Sequence, residues 1–249
     1  MSVLFADTLF KIDAKVLLML HCFEIKTPIF AKDSFLLHQQ DCQMRITEYI
    51  IGCTILLLIL CSCTQQTQKT PAIPYDSLRN GDIIFRRGRS LSSNIILTHD
   101  RNGSQYSHIG IVCKTDSAWC VVHAVNDEHD FNGDFDRVKI ERVERFFAGD
   151  RASAGEIMHC LLSDTLLQSV TRNAIELVKD SIPFDASFDH SDHSRLYCTE
   201  LIYYLFEKEG IDITEGRTTH VGTVCFPDEI IFPSDIHANK KLETYFEFP

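Results

Sequence analysis

The chain has 249 residues, 45% of them hydrophobic, so it can bury one full core, and length alone allows one or two domains. Its 35 acidic residues against 24 basic ones exclude the basic footprint that nucleic-acid binding requires. The same imbalance opposes attachment to anionic headgroups through a basic patch, which leaves covalent lipid as the expected link to a membrane.

In chain order, the first 63 residues do not read as folded domain. Ile50 to Leu60 is an almost unbroken apolar run, followed by Cys61-Ser62-Cys63 and the polar TQQTQKT. The run is too short to span a bilayer comfortably and suits the core of a signal peptide. Met44 and Arg45 stand at the right distance upstream to start one. Residues 1–43 are therefore expected to be a start-site artefact or an unstructured extension, and residues 44–63 a lipoprotein signal peptide. The Leu60-Cys61-Ser62-Cys63 end resembles a bacterial lipobox, with Cys63 as the lipidated residue. Residues 64–76 follow as a linker and residues 77–249 as the functional domain. A rival reading keeps a genuine hydrophobic N-terminus, since Val16 to Phe23 is also apolar. Removing residues 1–63 takes away five Lys/Arg and six Asp/Glu and leaves 19 basic against 29 acidic residues.

Within the domain, Gly81-Asp82 is a turn signal that opens a short strand, IIFR. Ser90 to Leu97 fits a short helix capped by Ser90 or Ser92. His108 to Cys113 and Trp119 to Val125 are β-type runs joined across KTDSA. The acidic NDEHDFNGDFD follows as a loop, then an alternating Val138, Ile140, Val143 region and a strand over Glu156 to Leu162. Asp164 can cap a helix whose apolar positions Leu167, Val170, Ala174, Leu177 and Val178 recur at helical spacing. A polar loop around Asp185 to Arg195 leads to a second helix from Cys198 to about Glu209, with Gly210 as its C′ residue. Helices mixed with mostly antiparallel strands define an α+β fold.

Two residues carry the chemistry. A cysteine at a helix start gains from the helix dipole and free N–H groups, which favour its thiolate. Cys198 stands at such a start, and its backbone N–H is a natural oxyanion donor. His108, at the head of a β run, is a candidate base. Taken alone, Cys198 would read as an inert buried thiol and His108 as a strand-edge histidine. A turn centred on Thr115-Asp116 would put His123 directly opposite His108, where a second imidazole can fix the tautomer of the first. That register puts Cys113 and Cys120 out of step, so both are read as small buried hydrophobes. Tyr106 and Ser107 are expected to shape the approach to His108. Tyr197 and Asp189 are assigned to the cleft, and Glu200 to favouring the helix N-terminus.

The segments LRNGDIIFRRG (78–88), YSHIGIV (106–112), VVHA (121–124), FDASFD (184–189) and YCTEL (197–201) together resemble the YiiX/YaeF-type permuted papain-like amidases. That family belongs to the wider NlpC-type superfamily of cysteine hydrolases. Papain-like enzymes carry Cys before His, and here the order is reversed. The resemblance implies a circularly permuted papain-like fold, with the His-bearing sheet packed against the Cys-bearing helix. It also implies Cys198 as nucleophile and His108 as base. Many members of the family have Glu at the position of His123. A second His is more like the lecithin:retinol acyltransferase-type branch and keeps acyl transfer open.

His190 to His193, with Asp185, Asp189 and Asp192, is not read as a metal site, since no HExxH helix is present. DFNGDFD lacks the Gly and closing Glu spacing of a calcium loop. With no Gly-rich phosphate loop and no GxSxG elbow, nucleotide binding and serine hydrolysis lack support, and no metal and no cofactor are expected.

The expected function is a cell-envelope cysteine hydrolase cleaving an amide bond in a peptidoglycan-derived peptide or an N-acyl compound. A thiol-based acyltransferase or lipid-ester hydrolase is the alternative enzyme. A non-catalytic envelope binding module that retains the fold is the alternative from another class. The lipid anchor is the one membrane contact expected, no nucleic acid is, and the sequence leaves the oligomeric state open.

Overall fold

The computed structural model describes residues 70–222 and 227–249, within the second of the two units into which the chain divides, residues 66–249. The readings made on residues 1–63, Cys63 among them, lie outside the described residues. Gly81-Asp82 makes the expected turn. Gly81 takes φ +87°, where an added Cβ would meet Leu167 at 2.7 Å. Asp82 is buried and holds the turn through the N–H of Arg79, while its carboxylate also contacts His159 and Tyr245. Its role is therefore architectural.

The chain then runs through β1 (Ile83–Gly88), α1 (Leu91–His99), β2 (His108–Lys114), β3 (Trp119–Val125), β4 (Arg137–Arg142), α2 (Val143–Phe146) and β5 (Ala152–Cys160). It continues through α3 (Asp164–Lys179), α4 (Cys198–Glu207), β6 (Thr219–His220), β7 (Glu229–Ile230), α5 (Pro233–His237) and β8 (Leu242–Phe248). Six strands form an antiparallel sheet in the order β4-β3-β2-β1-β5-β8, and β6 pairs with β7. This is the α+β class expected.

Local chemistry moves several boundaries. Ser163, not Asp164, caps α3 by accepting from the N–H of Leu166. Ser90 caps α1 through Ser93. Val143 leaves the strand alternation and starts α2. Gly210 takes φ +72° two residues beyond the C-cap, Lys208.

Both faces of the sheet are covered. Ile83, Phe85, Ile109, Ile111, Val122 and Ala124 pack with Leu167, Val170, Leu201 and Leu205 of α3 and α4. On the reverse face Ile84, Val112, Val121 and Ile157 pack with Phe146 and Phe147. Strands buried on both sides lose the apolar–polar alternation of a half-exposed sheet, as the run HIGIVC illustrates.

The β2–β3 register differs from the sequence expectation. Ile111 pairs with Val122 and Cys113 with Cys120, and the turn closes through the Thr115 N–H to the Ala118 carbonyl. Its centre is Asp116-Ser117, one position later than expected. Each pairing consequently shifts by two residues. Cys113 and Cys120 are direct cross-strand partners rather than out of step, and both are free thiols. A shift of two preserves the face, because side chains alternate with period two.

Candidate active site

The two-residue shift makes His108 and His123 diagonal neighbours instead of opposed ones. Continuing the ladder, Gly110 comes to face His123. A Cβ on Gly110 would stand 3.3 Å from that of His123 and 2.4 Å from a methyl of Val121. With no side chain there, the His108 ring can lean along the strand. Its Nε2 lies 2.8 Å from Nδ1 of His123, and the rings meet edge to face. Phe146 stacks on His108 and meets His123 edge-on.

Behind the histidines lies a buried charge array that the sequence reading missed. His123 Nε2 is 3.3 Å from Glu141 Oε1, a contact bent away from good hydrogen-bond geometry. Glu141 also contacts Arg151 at 3.1 Å and Arg86 at 3.8 Å. Glu128 bridges Arg86 and Arg151, and the Arg86 guanidinium lies over the Phe146 ring. Burial alone would raise the Glu141 carboxyl, but His123, Arg151 and Arg86 outweigh it and hold it at about 2. Burial, then the charges of Arg86, His123, Arg151 and Lys139, push His108 well below its ordinary value. His123 is also lowered by burial, against the opposing pull of Glu141. Both imidazoles are thus neutral beside an ionised carboxylate.

The signal for Glu141 was present in the sequence. Arg137, Lys139 and Glu141 alternate with Val138 and Ile140, so the charged set shares one face, which is the face of His123. Only the covering of that face by α2 turns a solvent-side pattern into a buried ion network.

Cys198 is the first residue of α4. The helix start is tied down by the Tyr197 N–H to Glu200 and by the Thr199 hydroxyl to the Ile231 carbonyl. Backbone N–H groups of Ile109, Thr199 and Cys198 stabilise the thiolate, as does the charge of Arg86. Burial is the larger effect and pushes the thiol up to about 11. The helix start therefore acts in the expected direction without giving a resting thiolate.

Cys198 and His108 line one cavity of about 550 Å³ together with Arg86, Ser107 and Glu128. Ile95, Ile96, Val125, Phe184 and Phe188 make much of its wall apolar. His108 Nε2 is engaged by His123, which leaves Nδ1 as its other ring nitrogen.

Of the expected cleft residues, Ser107 lines this cavity, and its hydroxyl accepts from the Gly88 N–H. The other three do not line it. Tyr106 lines a separate hollow with Glu156 and His237, its hydroxyl donating to Glu247. Tyr197 is buried against Val221, Ile230 and Phe232 and accepts from the Ile231 N–H. Asp189 is exposed and accepts from the Ser191 N–H. Phe188, one residue earlier, takes the cavity wall instead.

The two acidic loops fold on themselves. Asp185 accepts from Ser187 and Asp189, Asp192 from Ser194, and Asp134 from Asp130 and Phe135. Among the described residues no group of three or more His, Cys, Asp or Glu gathers as a metal site.

The family model for the permuted papain-like amidase enzymes, YaeF/YiiX, C92 family, matches residues 77–243. The chain belongs to this family and is a hydrolase of the cysteine peptidase and amidase type. The crystal structure of metalloprotein yiiX from Escherichia coli O157:H7 is similar in fold, with a TM-score of 0.54 and 20% identity. The match covers 68% of this chain and 97% of that one. No curated protein matches the chain.

Proposed function

We propose that this hydrolase cleaves an amide bond through Cys198 and His108, in a permuted papain-like site whose third member is His123. The observation that carries the reading is a cavity lined by both Cys198 and His108, with the far nitrogen of His108 held by His123 at 2.8 Å. The resting pair is neutral, so the proton moves during attack. Sγ bonds to the carbonyl carbon as His108 Nδ1 takes the thiol proton. The oxyanion is met by the Cys198 N–H at the helix start. The C–N bond then breaks, His108 returns the proton to the leaving amine, and water hydrolyses the thioester by the same route in reverse.

The substrate class proposed is an N-acyl compound, with a peptidoglycan-derived peptide second, because the apolar wall of Ile95, Ile96, Phe184 and Phe188 favours an acyl chain. The same wall supports acyl transfer to an amine or alcohol as the alternative outcome. The proposed setting is the bacterial cell envelope, most simply the outer membrane, with the domain held by lipid on Cys63.

The test pairs hydrolysis of a panel of N-acyl amides and cell-wall peptides with iodoacetamide labelling of Cys198, in wild type, Cys198→Ala and His108→Ala. Both variants are expected to lose hydrolysis, His108→Ala by about 10²–10⁴-fold. Full activity in either variant would remove that residue from the chemistry and overturn the Cys198–His108 reading, and ligand binding without turnover in all three proteins would replace it with the binding module.

A further inference from the structure

We infer that Glu141 is a positioning residue that sets the tautomers of both histidines, so that His108 presents a bare Nδ1 to Cys198. This deepens the Cys198–His108 reading and rests on it.

The argument is one of donors and acceptors. A single proton can lie between His108 Nε2 and His123 Nδ1, and either ring could carry it. Glu141 removes the ambiguity. Its carboxylate is ionised and has no proton to offer, and Oε1 stands 3.3 Å from His123 Nε2. A bare Nε2 there would set two acceptors against each other in a buried site, so the proton of neutral His123 lies on Nε2. His123 Nδ1 is then an acceptor, and His108 must donate from Nε2. The remaining nitrogen of neutral His108, Nδ1, has a lone pair and can accept the thiol proton.

The flanking cations keep the chain in this state. Arg86 and Arg151 hold the carboxylate in place, and Glu128 bridges the two guanidiniums. Lys139 is engaged by the Glu128 carbonyl and Asp130. When His108 becomes an imidazolium, Glu141 is the carboxylate in contact with the ring behind it, His123. That supplies what His123 alone lacks, since a neutral ring orients a base but stabilises its charge less than a carboxylate does.

The test is nitrogen-15 NMR of histidine-labelled full-length protein, with the two rings assigned by loss of signal in His108→Gln and His123→Gln. It is read beside the rate of Cys198 carbamidomethylation by iodoacetamide in wild type, Glu141→Gln and Glu141→Asp. Wild type is expected to show both rings protonated on Nε2. Glu141→Gln is expected to lose that uniform state and slow labelling by about 10²-fold, the low end for a general base. Glu141→Asp, which keeps the charge, should recover part of the loss. A wild-type His108 protonated on Nδ1 overturns the inference, and that result does not depend on how any Glu141 variant folds. So does a Glu141→Gln protein with unchanged tautomers and labelling. If His108→Ala labels as fast as wild type, the Cys198–His108 reading fails, while the tautomer result still stands or falls on the spectrum.

Discussion

Gly110→Ala is the sharpest perturbation of the site that touches none of its chemistry. An added Cβ would stand 2.4 Å from the Val121 methyl, 3.1 Å from the Val122 carbonyl and 3.3 Å from the His123 Cβ. The carbonyl belongs to the paired strand and cannot swing aside, so β3 must move or the pairing must loosen. Overpacking of this kind costs about 1–3 kcal/mol. For a domain of this size that lowers the unfolding midpoint by roughly 2–12 °C. The same movement carries His123 away from His108, and a misplacement near 1 Å can cost about 10²-fold in rate. Gly81→Ala serves as the control. It strains a φ of +87° and crowds Leu167, at a comparable cost in stability, but on a turn away from the histidines. Both variants are to be followed by thermal unfolding and by iodoacetamide labelling of Cys198. The expected result is similar destabilisation in the two, with labelling slowed about 10²-fold in Gly110→Ala alone. If Gly110→Ala labels at the wild-type rate, diagonal contact across a bare glycine is not what positions the base. If it loses no stability, the close approach itself is wrong.

Two further outcomes follow from buried groups. Glu200 is fully buried and raised to about 8, by burial first and then by Asp185, Asp189 and Asp192. An acid whose folded pKa lies above its unfolded value binds a proton on folding. Its stabilising contribution is therefore complete below about 4.5 and is lost as pH rises through about 8. Glu200→Gln should gain on wild type across that window, by at most roughly 1.4 kcal/mol per pH unit. Urea midpoints at several pH values check this, and a constant difference from pH 5 to 9 would refute it. The second outcome concerns thiols. Burial pushes Cys113 and Cys160 up to about 12. Neither should be alkylated in the native protein at pH 8 while Cys198, which reaches the cavity, is labelled. Peptide-level mass spectrometry decides it, and labelling of Cys113 at the rate of Cys198 would mean that the β2–β3 core opens readily.

Much of the architecture was legible because it is written in local periodicity. The runs HIGIVC and WCVVHAV are strands in any environment that covers both their faces. The Leu167, Val170, Ala174, Leu177 spacing gives α3 its buried stripe. Ser90 caps α1 from its place in the sequence. The reversed order of His108 and Cys198, within matched motifs, was enough to indicate the family. What local pattern could not settle was register. One residue's difference in the turn centre moved every β2–β3 pair by two, joining Cys113 to Cys120 and placing Gly110 before His123. The histidines stayed together only because a two-residue shift keeps their face.

The sequence by itself therefore determined the class of most elements up to Gly210, the candidate pair His108 and Cys198, and the face that the two histidines share. Only the tertiary structure decided which charges stand behind them. Glu141, Arg86, Glu128 and Arg151 come from two strands, a loop and the turn just before β5, and the alternation of β4 does not say whether its charged face meets water or protein. The covering of that face by α2 and Phe146 decides it. Excluding water turns an ordinary polar stripe into a paired network, because an unpaired charge cannot be left in so dry a place, and the same burial keeps both imidazoles neutral. For the same reason the resting state of Cys198 was not readable from its place at a helix start. The helix favours the thiolate wherever it stands, but the burial that outweighs it exists only once the sheet, α4 and the cavity wall have come together.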